Sequence, residues 1–147
     1  MLRESLVAAV LSLTFAGCQR APESDAKPSD TKQTAGAIPE TSVADVQKLV
    51  TTKSATVLDA NSEETRKEYG VVPGATLLSS SRNYPLSELP SDKGRELVFY
   101  CGGVKCRASD SAAKRAAEAG YSKVSVMRAG IRGWKAAGAP TQPLPQS

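Results

Sequence analysis

Cys101 and Cys106 stand five residues apart in "FYCGGVKCRAS" (Phe99–Ser109), with Gly102 and Gly103 after the first and Lys105 and Arg107 around the second. A thiolate nucleophile, a disulfide or a soft-metal site can each be built from such a set. The chain has no histidine, so the usual imidazole base and the commonest metal ligand are both missing. Two cysteines are too few ligands for a metal centre, and no metal or cofactor is expected. A cysteine can also be activated by backbone. The apolar run before Cys101 places it at the carboxyl end of a strand, where open parallel sheets bind ligands. The loop then enters a helix N-terminus, whose free N–H groups and dipole favour negative charge. Gly102 and Gly103 let the chain curl so that several N–H groups converge on one point. A sulfur there has a depressed pKa. Lys105 and Arg107 add to the effect, and Asp110 opposes it in part. The Cys101 thiolate is therefore expected to form below the unperturbed value of about 8.5. Cys106, deeper in the loop, reads as a resolving thiol. A Cys101–Cys106 disulfide stays open, because spacing alone does not say whether the two Cα atoms come within about 4.4–6.8 Å.

The flanking sequence supplies elements that can hold such a loop. Thr41 or Ser42 is expected to cap a helix carrying Val43, Val46, Leu49 and Val50 on one face. "ATVLDA" (Ala55–Ala60) reads as a buried strand. Asn61 or Ser62 opens a helix with Glu63 and Glu64 in its first turn, and Gly70 closes it. "ATLLSS" (Ala75–Ser80) and "ELVFYC" (Glu96–Cys101) read as strands, and "PLSELP" as a short helical turn. A helix follows from Ser109 to Gly120, with Ser109 or a near neighbour as cap and a small-residue stripe of Ala112, Ala116 and Ala119. "VSVMR" (Val124–Arg128) is a last strand, and "GIRGWKAAG" a last helix stopped by Gly138 and Pro140. Alternating strands and helices predict a parallel α/β sheet with helices on both faces.

The 147 residues suffice for one domain, and the net charge of +4 is mild. Few aromatics accompany the basic residues, so no nucleic-acid partner is expected. Arg3 precedes a short apolar run, Leu6–Gly17, that reads as the core of a signal peptide. Its end, "FAGC", resembles the lipobox of bacterial lipoproteins, with Phe15 where Leu is commoner. That resemblance implies cleavage before Cys18, lipidation of Cys18 and a membrane anchor; Gln19, not being Asp, favours the outer membrane facing the periplasm. Residues 19 to 39 are rich in Pro, Ser, Thr, Asp and Lys and poor in large apolar side chains, so they are expected to form a flexible tether, with a reach of roughly 25 Å.

Two longer stretches resemble the rhodanese family. "LDANSEETRKEYGVVPGATLL" is similar to its N-terminal signature, an Asp-ended strand, a helix and a "G-h-[IV]-P-G-A" turn. "LVFYCGGVKCRASDSAAKRAAEAGYSKVSVMRAGIRGWKAAGAP" is similar to its C-terminal half, where a strand ends in the persulfide-forming cysteine. The resemblance implies a three-layer α/β/α fold with a parallel sheet of about five strands. Together with the segments read above, this divides the chain into an expected signal peptide over 1–17, a lipidated cysteine and linker over 18–39, a rhodanese-like domain over 40–142 and a tail over 143–147. By position Cys101 matches the catalytic cysteine, and Gly102, Gly103, Val104, Lys105, Cys106 and Arg107 match the substrate loop. Asp59 reads as structural. Asn61 stands where the family often has arginine, and Cys106 makes the loop similar to that of a subgroup with a second cysteine.

The first reading is a lipid-anchored sulfurtransferase. Cys101 takes a sulfane sulfur from an anionic donor such as thiosulfate and passes it to a thiol or cyanide. Two alternatives stand beside it. The spacing C-x5-R (Cys101, Arg107) resembles the phosphate loop of cysteine phosphatases and arsenate reductases. The pair Cys101/Cys106 also suits a non-catalytic or redox-sensing domain.

Overall fold

A computed structural model describes residues 37–145. The expected signal segment, Cys18 and most of the expected linker lie outside the described residues.

Helix α1 (Val43–Thr52) starts where the polar–apolar pattern puts it. The Ser42 hydroxyl accepts from the Asp45 N–H and donates to the Asp45 carboxylate, which occupies one of the N–H groups that a helix start leaves without a partner. Strand β1 (Ala55–Asp59) follows, then α2 (Glu63–Tyr69), capped by Ser62 and closed by Gly70. After β2 (Thr76–Leu77) and a 3-10 turn (Leu86–Glu88) come β3 (Glu96–Tyr100), α3 (Ala108–Glu118), β4 (Val124–Met127) and α4 (Gly130–Ala136).

The sheet is parallel, in the order β2-β1-β3-β4. Leu58 faces Phe99, and Phe99 faces Val126, across its centre. It has four strands, against the five or so implied by the family resemblance. A fifth member is reduced to a bridge: Thr41 N–H donates to Val126 O at 3.0 Å, and Val126 N–H donates to Pro39 O at 2.9 Å. Strand β2 is shorter than its apolar run, because it pairs only through Leu58 and Asp59. Past Leu78 the chain turns away, and Ser79 N–H is taken by the Glu88 carboxylate.

Alternation along β3 divides the core. Leu97 and Phe99 pack with Ala112, Ala113 and Ala116 of α3. Val98 and Tyr100 face the other way, toward Val46 of α1 and Ile131 and Trp134 of α4. This makes three layers, and the alanine stripe lets α3 lie close to the sheet. Burying a side chain such as Phe99 or Ile131 contributes about 1.5–3 kcal/mol.

The carboxyl end of β1 is locked by a polar cluster. Asp59 is fully buried. Its carboxylate accepts from Arg66 Nε at 3.1 Å, from Asn61 N–H at 2.7 Å and from the Tyr100 hydroxyl at 2.5 Å. Arg66 also donates to the carbonyls of Asp59 and Leu78, tying α2 to β1 and the end of β2. Burial, and then the Asp59 charge, raise the Tyr100 pKa.

Candidate active site

Strand β3 delivers Cys101 to the carboxyl edge of the sheet, where it is 2 % exposed. The next residues form a tight turn: Cys106 N–H donates to Gly103 O at 2.8 Å, which folds the chain back over Cys101. The disulfide that spacing left open is formed, with the Cα atoms of Cys101 and Cys106 6.3 Å apart. The thiolate expected at Cys101 therefore belongs to the reduced chain. Helix α3 begins one residue after Arg107, which occupies the N-cap without a side-chain bond. Ser109 does not cap the helix. It is buried in the first turn with its hydroxyl 3.2 Å from Cys101 Sγ, placed to donate to that sulfur when it is anionic.

Helix α4 holds the loop from the other side. Ile131 N–H donates to Cys101 O at 2.8 Å, and Arg132 N–H donates to Gly102 O at 3.3 Å. Gly130 makes this approach possible. Its φ is +62°, and a Cβ there would run into the carbonyl of Cys101 and the backbone of Gly103. The carbonyls of Cys101, Gly102 and Gly103 are thus engaged. Among the described residues, no backbone–backbone bond takes up the N–H groups of Gly102, Gly103, Val104, Lys105 or Arg107. A loop with engaged carbonyls and open N–H groups favours an anion.

A cavity of about 1070 Å³ opens above the loop. Gly102 to Cys106 form one wall, and Asn61, Thr65, Ser79, Ser80 and Arg132 are among the residues opposite or beside them. Cys106 lines it, and Cys101 lies beneath Cys106. Arg107, expected to draw in an anionic donor, is not part of this lining. Its side chain is 79 % exposed and faces Asp110 at 3.5 Å, because as N-cap it projects from the helix end beside the first-turn acid. Arg132 lines the cavity instead, with its guanidinium resting over the Tyr69 ring at 4.9 Å. Sequence reading passed over Arg132. Its signal was faint, a basic residue directly after the Gly-Ile that opens the last helix. Asn61 also gains a place: it lines the cavity, and its buried Nδ2 has no hydrogen-bond partner.

Asp110 is occupied elsewhere. Arg128 donates to its two oxygens at 2.6 and 2.7 Å. Those bonds, ahead of the weaker contribution of Arg107, hold the Asp110 carboxyl below its usual value. The acid that sequence set against Cys101 is thus neutralised by its own partners. Among the described residues, no group of three or more His, Cys, Asp or Glu side chains could hold a metal ion.

The family description "Rhodanese-like domain" matches residues 42–137. No curated protein matches the chain. Several solved structures share its fold. A protein of Bacillus halodurans is 21% identical over 71% of this chain and 77% of its own, with a TM-score of 0.62. A thiosulfate sulfurtransferase from Pseudomonas aeruginosa is 23% identical over 72% of this chain and 20% of its own, with a TM-score of 0.60. A Rhodopseudomonas palustris protein of unknown function, described as a possible tyrosine phosphatase, is 21% identical over 71% of this chain and 85% of its own, with a TM-score of 0.59. At such identities the likeness carries the fold alone.

Proposed function

This chain belongs to the rhodanese-like domain family, and from that premise we propose that it is a sulfurtransferase acting through Cys101 on an anionic sulfane donor such as thiosulfate. The observation that carries the reading is the loop. Cys101 ends β3 beneath a turn in which the carbonyls of residues 101–103 are engaged while the N–H groups of residues 102–105 have no backbone partner, and that turn walls a cavity also lined by Arg132. In the reduced chain the Cys101 thiolate attacks the sulfane sulfur of thiosulfate. A bond forms between Cys101 Sγ and that sulfur, the S–S bond of thiosulfate breaks, and sulfite leaves with its electron pair. The open N–H groups and Arg132 stabilise the incoming and departing anions, and Asn61 Nδ2 offers one more donor. A thiol or cyanide then takes the sulfur.

The test is sulfite release by the reduced full chain mixed with thiosulfate and, in the Cys106→Ser chain, thiocyanate formation on adding cyanide. Cys101→Ser is expected to abolish both, and Ser109→Ala to raise the pH midpoint of Cys101 alkylation. Reduced wild-type protein that releases no sulfite would overturn the reading. The oxyanion-enzyme alternative calls for Arg107 inside the loop, whereas its side chain here is exposed and 3.5 Å from Asp110. The proposal extends to a lipid anchor at Cys18, supported by the apolar run ending in "FAGC" and by the polar stretch after it. Cys18→Ser is expected to free the protein from membranes.

A further inference from the structure

A persulfide on Cys101 and the Cys101–Cys106 disulfide compete for one position, the atom bonded to Cys101 Sγ. In the structure that position is held by Cys106. The Gly103–Cys106 turn that brings it there is made by the backbone alone. Cys106 is half-buried and borders the cavity, whereas Cys101 is sealed beneath it. Lys105 and Arg107 flank it, and both are exposed; their positive charge favours a Cys106 thiolate.

Resting on the sulfurtransferase reading, we propose that Cys106 discharges the loaded Cys101 and that the sulfur leaves this protein as hydrosulfide. The Cys106 thiolate attacks Cys101 Sγ. The bond between Cys101 Sγ and the sulfane sulfur breaks, and hydrosulfide departs with its electron pair after taking one proton. The disulfide of the structure is the other product. The sulfane sulfur has been reduced by two electrons, and the two cysteines have been oxidised by two. An external dithiol restores them. Its thiolate attacks the accessible Cys106 Sγ and expels Cys101 as a thiolate, with the Ser109 hydroxyl 3.2 Å away to receive it. The second thiol of the dithiol then releases Cys106. In sum, thiosulfate and a dithiol give sulfite, hydrosulfide and the oxidised dithiol, with one proton released. An acceptor carried on the same turn outcompetes a free thiol because its encounter is intramolecular.

The experiment is a single turnover. The full chain is reduced, freed of reductant without air and mixed with thiosulfate. Sulfite and hydrosulfide are measured, with intact mass and peptide mapping. Wild-type protein is expected to release the two anions in equal amounts and to lose about 2 Da, with the bond mapped to Cys101 and Cys106. Cys106→Ser and Cys106→Ala are expected to release sulfite, keep a gain of about 32 Da on Cys101 and yield at least about tenfold less hydrosulfide. Wild-type protein that releases sulfite but keeps the added sulfur would overturn this inference and leave the sulfurtransferase standing. So would hydrosulfide release undiminished in both Cys106 variants, or a bond that maps to Cys18. Absence of sulfite from wild type and variants alike overturns both readings.

Discussion

Strands β1 and β3 lie side by side, with Asp59 in register with Tyr100, and each ends in a buried reactive side chain. Their ends are built in opposite ways. Asp59 has its acceptor sites filled by Arg66, Asn61 N–H and Tyr100, and those partners are anchored in turn. One residue beyond Tyr100, Cys101 sits under a loop in which the carbonyls of residues 101–103 are engaged but the N–H groups of residues 102–105 have no backbone partner. The first arrangement leaves nothing for a ligand to bind, so it fixes the fold. The second leaves N–H donors without backbone partners, open to water or to an added anion. Burial of a reactive group marks function where its surroundings are polar and incomplete.

The largest expected effect lies at the closed end. Asp59→Ala leaves the Arg66 guanidinium, 11 % exposed, without its carboxylate. Breaking such a buried pair costs about 3–5 kcal/mol, to be read as a shift in the urea midpoint. A loss below about 1 kcal/mol would mean that the closed end is not a lock.

At the open end the contrast sharpens between two arginines. Arg132→Ala is expected to raise the thiosulfate KM about tenfold, the worth of one charge-assisted hydrogen bond. Arg107→Ala, with its side chain turned to Asp110, is expected to change KM less than about twofold, within the range of an exposed ion pair. The reverse order in steady-state kinetics would put the anion on the helix-cap side of the loop.

The smallest effect is one of pH. Because Arg128 holds the Asp110 carboxyl below its usual value, the pair stabilises the fold fully above the unfolded value of about 3.9. That stabilisation fades as pH falls through it toward the lowered folded value. It amounts to about 1 kcal/mol or less, since both side chains are partly exposed. Denaturation curves for wild type and Asp110→Asn should converge as pH drops from 5 toward 3, values set around that unfolded pKa. A gap that persists at the lowest pH would assign the effect to something other than the charge.

Local chemistry made much of this molecule legible in the sequence. The caps at Ser42 and Ser62, the stop at Gly70 and the apolar runs of β1, β3 and β4 depend on neighbouring residues and on simple periodicity, so spacing revealed them. Cys101 at a strand end and the glycine-bearing loop into α3 were visible for the same reason. Tertiary structure decided the rest. β2 shrank because an edge strand keeps only the length its neighbour pairs with, and Asp59 found Tyr100, 41 positions away. Arg132, for which the sequence raised no expectation, lines the cavity in place of Arg107, because a side chain's direction depends on which helix end carries it and what lies opposite, and that is settled only when α4 docks on the loop through Gly130. The Cys101–Cys106 bond was permitted by spacing, but only the Gly103–Cys106 turn, folded back over the end of β3, brought the two sulfurs together.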